Sequence, residues 1–324
     1  MDIADIFSRG AQIHAGAGGQ PPDQHDHRKE TTPASLAERM HFLGQSVGDA
    51  IELGRRVGGQ QLNIPINPEF GGSFITRKKN QNPFSIGGFE ITVLGPTKAE
   101  LNKLEKDWDA WLNKNQKRLA VLKKRHDRDA DKLKSANFDI SNMAKEASIA
   151  LSGSQYVSPP NLASIILFAE NDGRTILLTG DADDASVLAG LKAKGLLDAN
   201  QQIHVNVHKI GHHGADNSYS DELARTVLAD DYVFCGDGAN TNPETDVISG
   251  YLGVLLEGDN NHPPAIKPGM KPTFWFSSGP GLESDSKLNS HWVKVEKELK
   301  KWQKDYPNKF RYKFLKSGDS FLVK

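Results

Sequence analysis

The sequence predicts an α/β protein. Two observations carry that expectation: apolar runs too short for helices, and amphipathic or charged helical stretches lying between them. Ile165 to Phe168, Thr175 to Leu178 and Ile203 to Ile210 are β-branched and leucine runs bounded by turn residues, which reads as buried strands. Asn171-Asp172-Gly173 joins the first two as a hairpin, because glycine supplies positive φ at no steric cost. A helix over Asp183 to Lys194 leads from the second run to the third.

Taken in order, residues 10 to 33 hold five glycines and prolines between Gly10 and Pro21 and two further prolines, Pro22 and Pro33, among polar residues. Such a stretch buries too little apolar surface to order itself and reads as a flexible N-terminal segment, 1–33. Residues 34–324 then form the main domain. Leu36, Met40, Leu43, Val47 and Ile51 recur at three- and four-residue spacings, giving an amphipathic helix that Gly58-Gly59 stops. Leu62 to Asn67 is extended, since Pro65 restricts the residue before it. Phe89 to Leu94 alternates like a half-buried strand and ends at Gly95-Pro96.

Residues 98–134 read as a charged helical insertion, with Leu101, Leu104, Trp108, Trp111 and Leu112 along one face. Its basic run from Lys114 to Arg128 is interleaved near its end with Asp127, Asp129 and Asp131, which favours a solvated helix face over a phosphate-binding arm. After His213 the pattern gives a helix over Ser220 to Leu228, a strand over Tyr232 to Cys235 and a further helix after Glu244. Thr273 to Phe276, Phe310 to Phe314 and Ser320 to Val323 read as closing strands, and Ser290 to Lys304 as a charged helix with Trp292, Val295, Leu299 and Trp302 inward.

The chemistry concentrates where two strands stop. Thr175 to Leu178 runs into Gly180-Asp181, and Ile203 to Ile210 into Gly211-His212-His213-Gly214. A carboxylate and imidazoles delivered at the ends of neighbouring strands are the donors a divalent ion takes: hard oxygen and borderline nitrogen on a rigid edge. Asp181, His212 and His213 are therefore the candidate metal-binding and catalytic residues. The competing role for Asp181 is a helix N-cap, which Asp183 or Asp184 could fill equally well. His204, Asn206 and His208 fall on every second strand position and read as packing or surface residues, and Lys209 as a contact for a substrate anion.

The progression SIILF, LLTGDA and KIGHHGADNS resembles the second half of a metallo-β-lactamase-fold hydrolase domain, in the branch of the DNA-uptake competence proteins. FEITVLGPT, at Phe89 to Thr97, is also similar to that family. The resemblance implies a four-layer αββα sandwich and two divalent metal ions, zinc or manganese. In it Asp181 would be the bridging carboxylate and His212 the first candidate imidazole, with His213 beside it. The implied reaction is hydrolysis of a phosphodiester, in a small molecule or a nucleic acid, or of another ester-like bond.

The family's early His-x-His-x-Asp-His is not found. Gln24-His25-Asp26-His27 continues into Arg28-Lys29 and follows no strand, so it reads as a solvated loop. Asn242 stands where some relatives carry histidine, and is not counted as a ligand. A hydrolytic zinc takes three protein ligands and an open position. Two expectations follow: a hydrolase lacking the first strands, whose early motif comes from a partner segment, or a degenerate member kept as a binding or assembly module.

Composition narrows the setting. A formal charge of −1 over 324 residues gives no bulk attraction to nucleic acid or anionic membranes. The single cysteine, Cys235, excludes a disulfide framework within the chain and reads as a small buried apolar side chain. There is no eighteen-residue apolar run and no basic signal-like start, so the expectation is a cytoplasmic protein without a membrane segment.

Overall fold

The structure is a computed structural model that describes residues 62–104, 163–238 and 241–316, together with Val57 and Lys106. The chain divides into two units, one of Met1–Phe74 with Glu105–Ser158 and one of Ile75–Leu104 with Pro159–Lys324. In the first, the described residues include a single turn of 3-10 helix over Pro68–Phe70, closed by Gly71 in the left-handed region. Most of the expected helix after residue 34, residues 107–134 of the charged insertion, and the closing strand at 320–323 lie outside the described residues.

The second unit is α/β, built on one mixed sheet of eight strands in sequential order. β1 (Phe84–Ile86), β2 (Phe89–Gly95), β3 (Ile166–Asn171) and β4 (Arg174–Leu178) pair antiparallel. β5 (Ile203–Lys209), β6 (Val227–Phe234), β7 (Thr273–Phe276) and β8 (Arg311–Phe314) then add in parallel, each beside the last. Helices α1 (Asp184–Ala193), α2 (Asp221–Thr226), α3 (Thr245–Leu256) and α4 (Ser286–Asp305) make the four crossovers. Right-handed crossovers that always advance the same way put every helix on one face, and α1 to α4 do pack against one another in succession.

That helix-covered face holds the core. Tyr232 stacks on Phe274 and Phe234 on Phe276, each with ring centroids 5.0 Å apart, beneath Tyr251 of α3 and Trp292 of α4. All of these side chains are fully buried. Truncating any one to alanine removes a burial and packing contribution of roughly 3–5 kcal/mol. At the sheet's antiparallel end α1 comes so close that a Cβ on Gly190 would stand 2.6 Å from the Leu94 carbonyl oxygen.

Strand alternation sends the intervening side chains to the opposite face. The registers align Leu167, Leu178, Lys209, Val233, Trp275 and Lys313 in one row across six strands. Leu178 is 40% exposed there, and Leu167, Val233 and Trp275 are half-buried.

The elements differ from the sequence reading in four places. The helix expected over Ser220 to Leu228 ends at Thr226, because Val227, Leu228 and Ala229 are drawn into β6 against Ile203 to Val205. The last helix starts at Ser286, where Asp285 accepts from the Lys287 and Leu288 amides and caps it. The short strand β1 was not expected; it folds back on β2 through Gly87 and Gly88, both at positive φ. Finally, Cys235 is exposed and not a buried apolar side chain. β6 stops at Phe234, so Cys235 emerges at the rim where the strand ends.

Candidate functional site

β4, β5 and β6 are parallel neighbours, so their carboxyl ends open onto one rim, the usual place for a ligand in such sheets. β4 delivers Thr179-Gly180-Asp181 there, β5 delivers Lys209 to Gly214, and β6 delivers Cys235. The first two are stitched together by short contacts. Thr179 Oγ1 donates to the Lys209 carbonyl at 2.6 Å, and the Gly180 carbonyl accepts from both Lys209 Nζ at 2.7 Å and the His212 amide at 3.1 Å. Gly180 itself is at φ +57°, and a Cβ on it would press on Ile165 O and Ser164 Cβ, both 3.2 Å away.

Asp181 is not used as a helix cap. Asp183 caps α1, its carboxylate accepting from the Ser186 amide at 2.7 Å. The Asp181 side chain, 41% exposed, instead lies between two cationic or basic groups. His213 Nε2 is 3.8 Å from its Oδ1, and Lys209 Nζ is 4.0 Å from the same oxygen.

The tautomer of His213 follows from its other nitrogen. Nδ1 lies 2.7 Å from the Cys235 carbonyl oxygen, which only accepts, so Nδ1 carries the proton. In the neutral ring Nε2 then presents a lone pair toward Asp181. At 3.8 Å the pair is too long for a hydrogen bond and suits two donors around a shared cation, given ligand bonds of about 2 Å. A backbone carbonyl holding the far side of an imidazole is the common support of a metal-bound histidine.

The two histidines part company. His212 is 4% exposed, and its Nδ1 meets Asn217 Oδ1 at 2.8 Å. His213 is half-exposed at the rim. Both sit in the left-handed region, at φ 43° and 57°, and Gly214 follows at φ 87°. Non-glycine residues held there cost on the order of 1 kcal/mol each, and such strain gathers at functional sites. Gly214 cannot be replaced cheaply, since a Cβ would stand 2.7 Å from Pro243 Cβ and 2.8 Å from Phe234 Cδ1.

Burial lowers the pKa of Lys209, with Asp181 and Cys235 opposing that shift. Burial of the Cys235 thiol raises its pKa despite the residue's overall exposure, and Lys209 pulls it back. Further down β5, His204 is exposed and meets Asp230 at 3.1 Å, whereas His208 is fully buried. His208 lies between the Tyr232 and Tyr251 rings, and neither of its ring nitrogens has a hydrogen-bond partner. Burial, and then Lys209, push its pKa down to about 3.

Of the three candidate residues, the structure brings Asp181 and His213 face to face and ties His212 to Asn217. It sets Lys209, expected from the sequence to contact a substrate anion, beside Asp181, and adds the Cys235 carbonyl, for which the only signal in the sequence was position at the end of a strand. Asn242 is buried, and His25 and His27 lie outside the described residues. Asp181 and His213 supply two potential donors, fewer than the three a hydrolytic zinc takes. Among the described residues no group of three or more His, Cys, Asp or Glu side chains converges to hold a metal ion. Among the same residues no helix is long and apolar enough to cross a membrane. No protein-family model, curated protein or solved structure matches the chain.

Proposed function

We propose that this chain is a metal-dependent hydrolase of the metallo-β-lactamase type, acting on phosphodiester or other ester-like bonds. The observation that carries the reading is the approach of His213 Nε2 to Asp181 Oδ1, 3.8 Å apart, with the imidazole proton fixed on the far nitrogen by the Cys235 carbonyl. Asp181 and His213 would hold the ion, with His213 ahead of His212. The remaining ligands would come from a partner segment carrying the early motif. A bound divalent ion supplies Lewis acidity and lowers the pKa of water toward neutrality. The chain's own residues bind and orient: the Cys235 carbonyl fixes the imidazole, Gly180 turns Asp181 into the rim, and Lys209 offers a positive charge to an anionic substrate oxygen. The half-exposed sheet face of Leu178, Val233 and Trp275 is where the second sheet of a four-layer sandwich would pack.

The test is metal analysis of the purified chain together with hydrolysis of bis(p-nitrophenyl) phosphate in zinc or manganese. Metal uptake and turnover that are lost together in Asp181→Asn and His213→Ala support the reading. The isolated chain is expected to be weakly active or inactive, and a folded chain that takes up no metal even with a peptide carrying His-x-His-x-Asp-His added in trans refutes the reading. A second reading, a binding or assembly module that keeps the fold without the chemistry, is favoured by the lack, among the described residues, of any group of three or more His, Cys, Asp or Glu side chains that could hold a metal ion. Metal-free protein of unchanged stability would select it.

A further inference from the structure

Charge is spread unevenly along the chain. Residues 286–316, which run from α4 through β8, hold ten of its 40 lysines and arginines but only three of its 41 acidic residues. That leaves a formal +7 in a chain whose total is −1. We propose that the solvent face of α4 is a docking surface for the phosphate backbone of a nucleic-acid duplex, held by charge and without base readout. The proposal does not rest on the metal reading.

The helix sorts its residues by period. His291, Trp292, Val295 and Leu299 are buried against the core. Lys287, Lys294, Lys297, Lys301 and Lys304 follow one another at seven, three, four and three residues, so they share the outward face, and Lys300 joins them. All six are exposed. The acids within the helix sit lower. Glu298 is half-buried and accepts from Ser249 Oγ of α3 at 3.0 Å and from Lys301 at 3.3 Å, while Glu296 pairs with Lys300 at 3.0 Å. Among the described residues Lys287, Lys294, Lys297 and Lys304 form no ion pair.

This face does not serve the fold. Lysines three and four residues apart on a helix repel one another and weaken it. The helix dipole favours a cation in the last turn, which accounts for Lys304, but it opposes Lys287 in the first turn and leaves Lys294 and Lys297 without support. From Lys287 to Lys304 the stripe runs about 25 Å. A rigid line of ammonium groups of that length suits a rigid line of phosphates, and a duplex carries about one charge per 1.7 Å of axis. Two rivals fit less well. Insertion into a lipid surface needs an apolar helix face, and that of α4 is buried in the core. A single strand is held by stacking its bases on aromatic rings, and the two tryptophans of α4 turn inward, Trp292 to the Asp237 carbonyl and Trp302 to Ser249.

The experiment is fluorescence anisotropy of a labelled DNA duplex of arbitrary sequence, about 20 base pairs long, titrated with the full chain between about 50 and 200 mM salt. One variant combines Lys294→Gln, Lys297→Gln and Lys304→Gln, and a second carries arginine at the same three positions. A control combines Lys79→Gln, Lys98→Gln and Lys192→Gln, exposed lysines outside the stripe, so that net charge falls equally. Circular dichroism checks the folding of each. Four unpaired lysines predict a log–log salt slope of about −3.6, or roughly a hundredfold loss of affinity across that range. The glutamine variant is expected to bind at least tenfold more weakly at the lowest salt, with a slope of about −1. The arginine variant and the control should stay within about threefold of wild type. If the glutamine variant does not fold, Lys297→Gln alone decides, through a slope shallower by about 0.9. No duplex binding at the lowest salt, or equal losses in the stripe and control variants, overturns the inference. So does tighter binding to a single strand of the same length, or binding to vesicles of phosphatidylserine and phosphatidylcholine in equal parts with none to the duplex. Duplex binding through the stripe by a chain that takes up no metal upholds the inference while the hydrolase reading falls. Metal uptake without duplex binding does the reverse.

Discussion

His208→Leu should flatten the acid side of the stability curve while leaving the neutral side intact or improved. The imidazole is fully buried between Tyr232 and Tyr251 with both nitrogens unpartnered, and its pKa falls from the ordinary 6.5 to about 3. The unfolded chain takes up a proton near pH 6.5 and the folded chain does not. Stability is therefore lost as pH drops below 6.5, and the loss continues until about 3. Each unit between those limits costs about 1.4 kcal/mol, so the wild type gives up about 2 kcal/mol from this group alone between pH 8 and pH 5. For a domain of this size that is a fall of roughly 4–8 °C in Tm. Leucine has a similar volume and no proton to gain, and it removes two orphaned polar atoms whose burial costs about 1–3 kcal/mol. Urea melts of both proteins at pH 8, 6.5 and 5 measure the effect. The reasoning is refuted if the difference between variant and wild type does not widen by at least about 1 kcal/mol between pH 8 and pH 5.

Other substitutions probe the scaffold and the rim. Gly190→Ala should destabilise by more than about 2 kcal/mol in a denaturant melt, because the new Cβ meets backbone at Leu94 and neither element can yield cheaply. Asp183→Ala should cost about 1 kcal/mol through loss of the α1 cap, whereas Asp181→Ala should be nearly neutral to stability, since its carboxylate caps nothing. The contrast, read by thermal melts, separates the two aspartates. Gly214→Ala should abolish metal uptake before it abolishes folding, because Pro243 and Phe234 leave no room for the Cβ and the adjacent His213 must shift. Uptake equal to wild type would show that the turn does not position the imidazole.

Local sequence was enough to place most of the strands and the carboxylate. Ile166–Asn171 and Arg174–Leu178 lie within one to three residues of the expected runs and Thr273–Phe276 coincides with its own, because short β-branched and aromatic stretches bounded by turn residues carry their own signal. Asp181 at the end of β4 was legible for the same reason. What local sequence could not decide was which histidine serves the rim. His212 and His213 are chemically identical neighbours, and only the left-handed turn beside Gly214 buries one against Asn217 and aims the other at Asp181. The helix that stopped at Thr226, the exposure of Cys235 and the pairing of Lys209 with Asp181 were likewise set by strand partners distant in sequence. Periodicity reports which side chains share a face. Which strand lies beside which, and how far each runs before the rim, is fixed by hydrogen-bond register between distant segments, and that register chose the residues that meet.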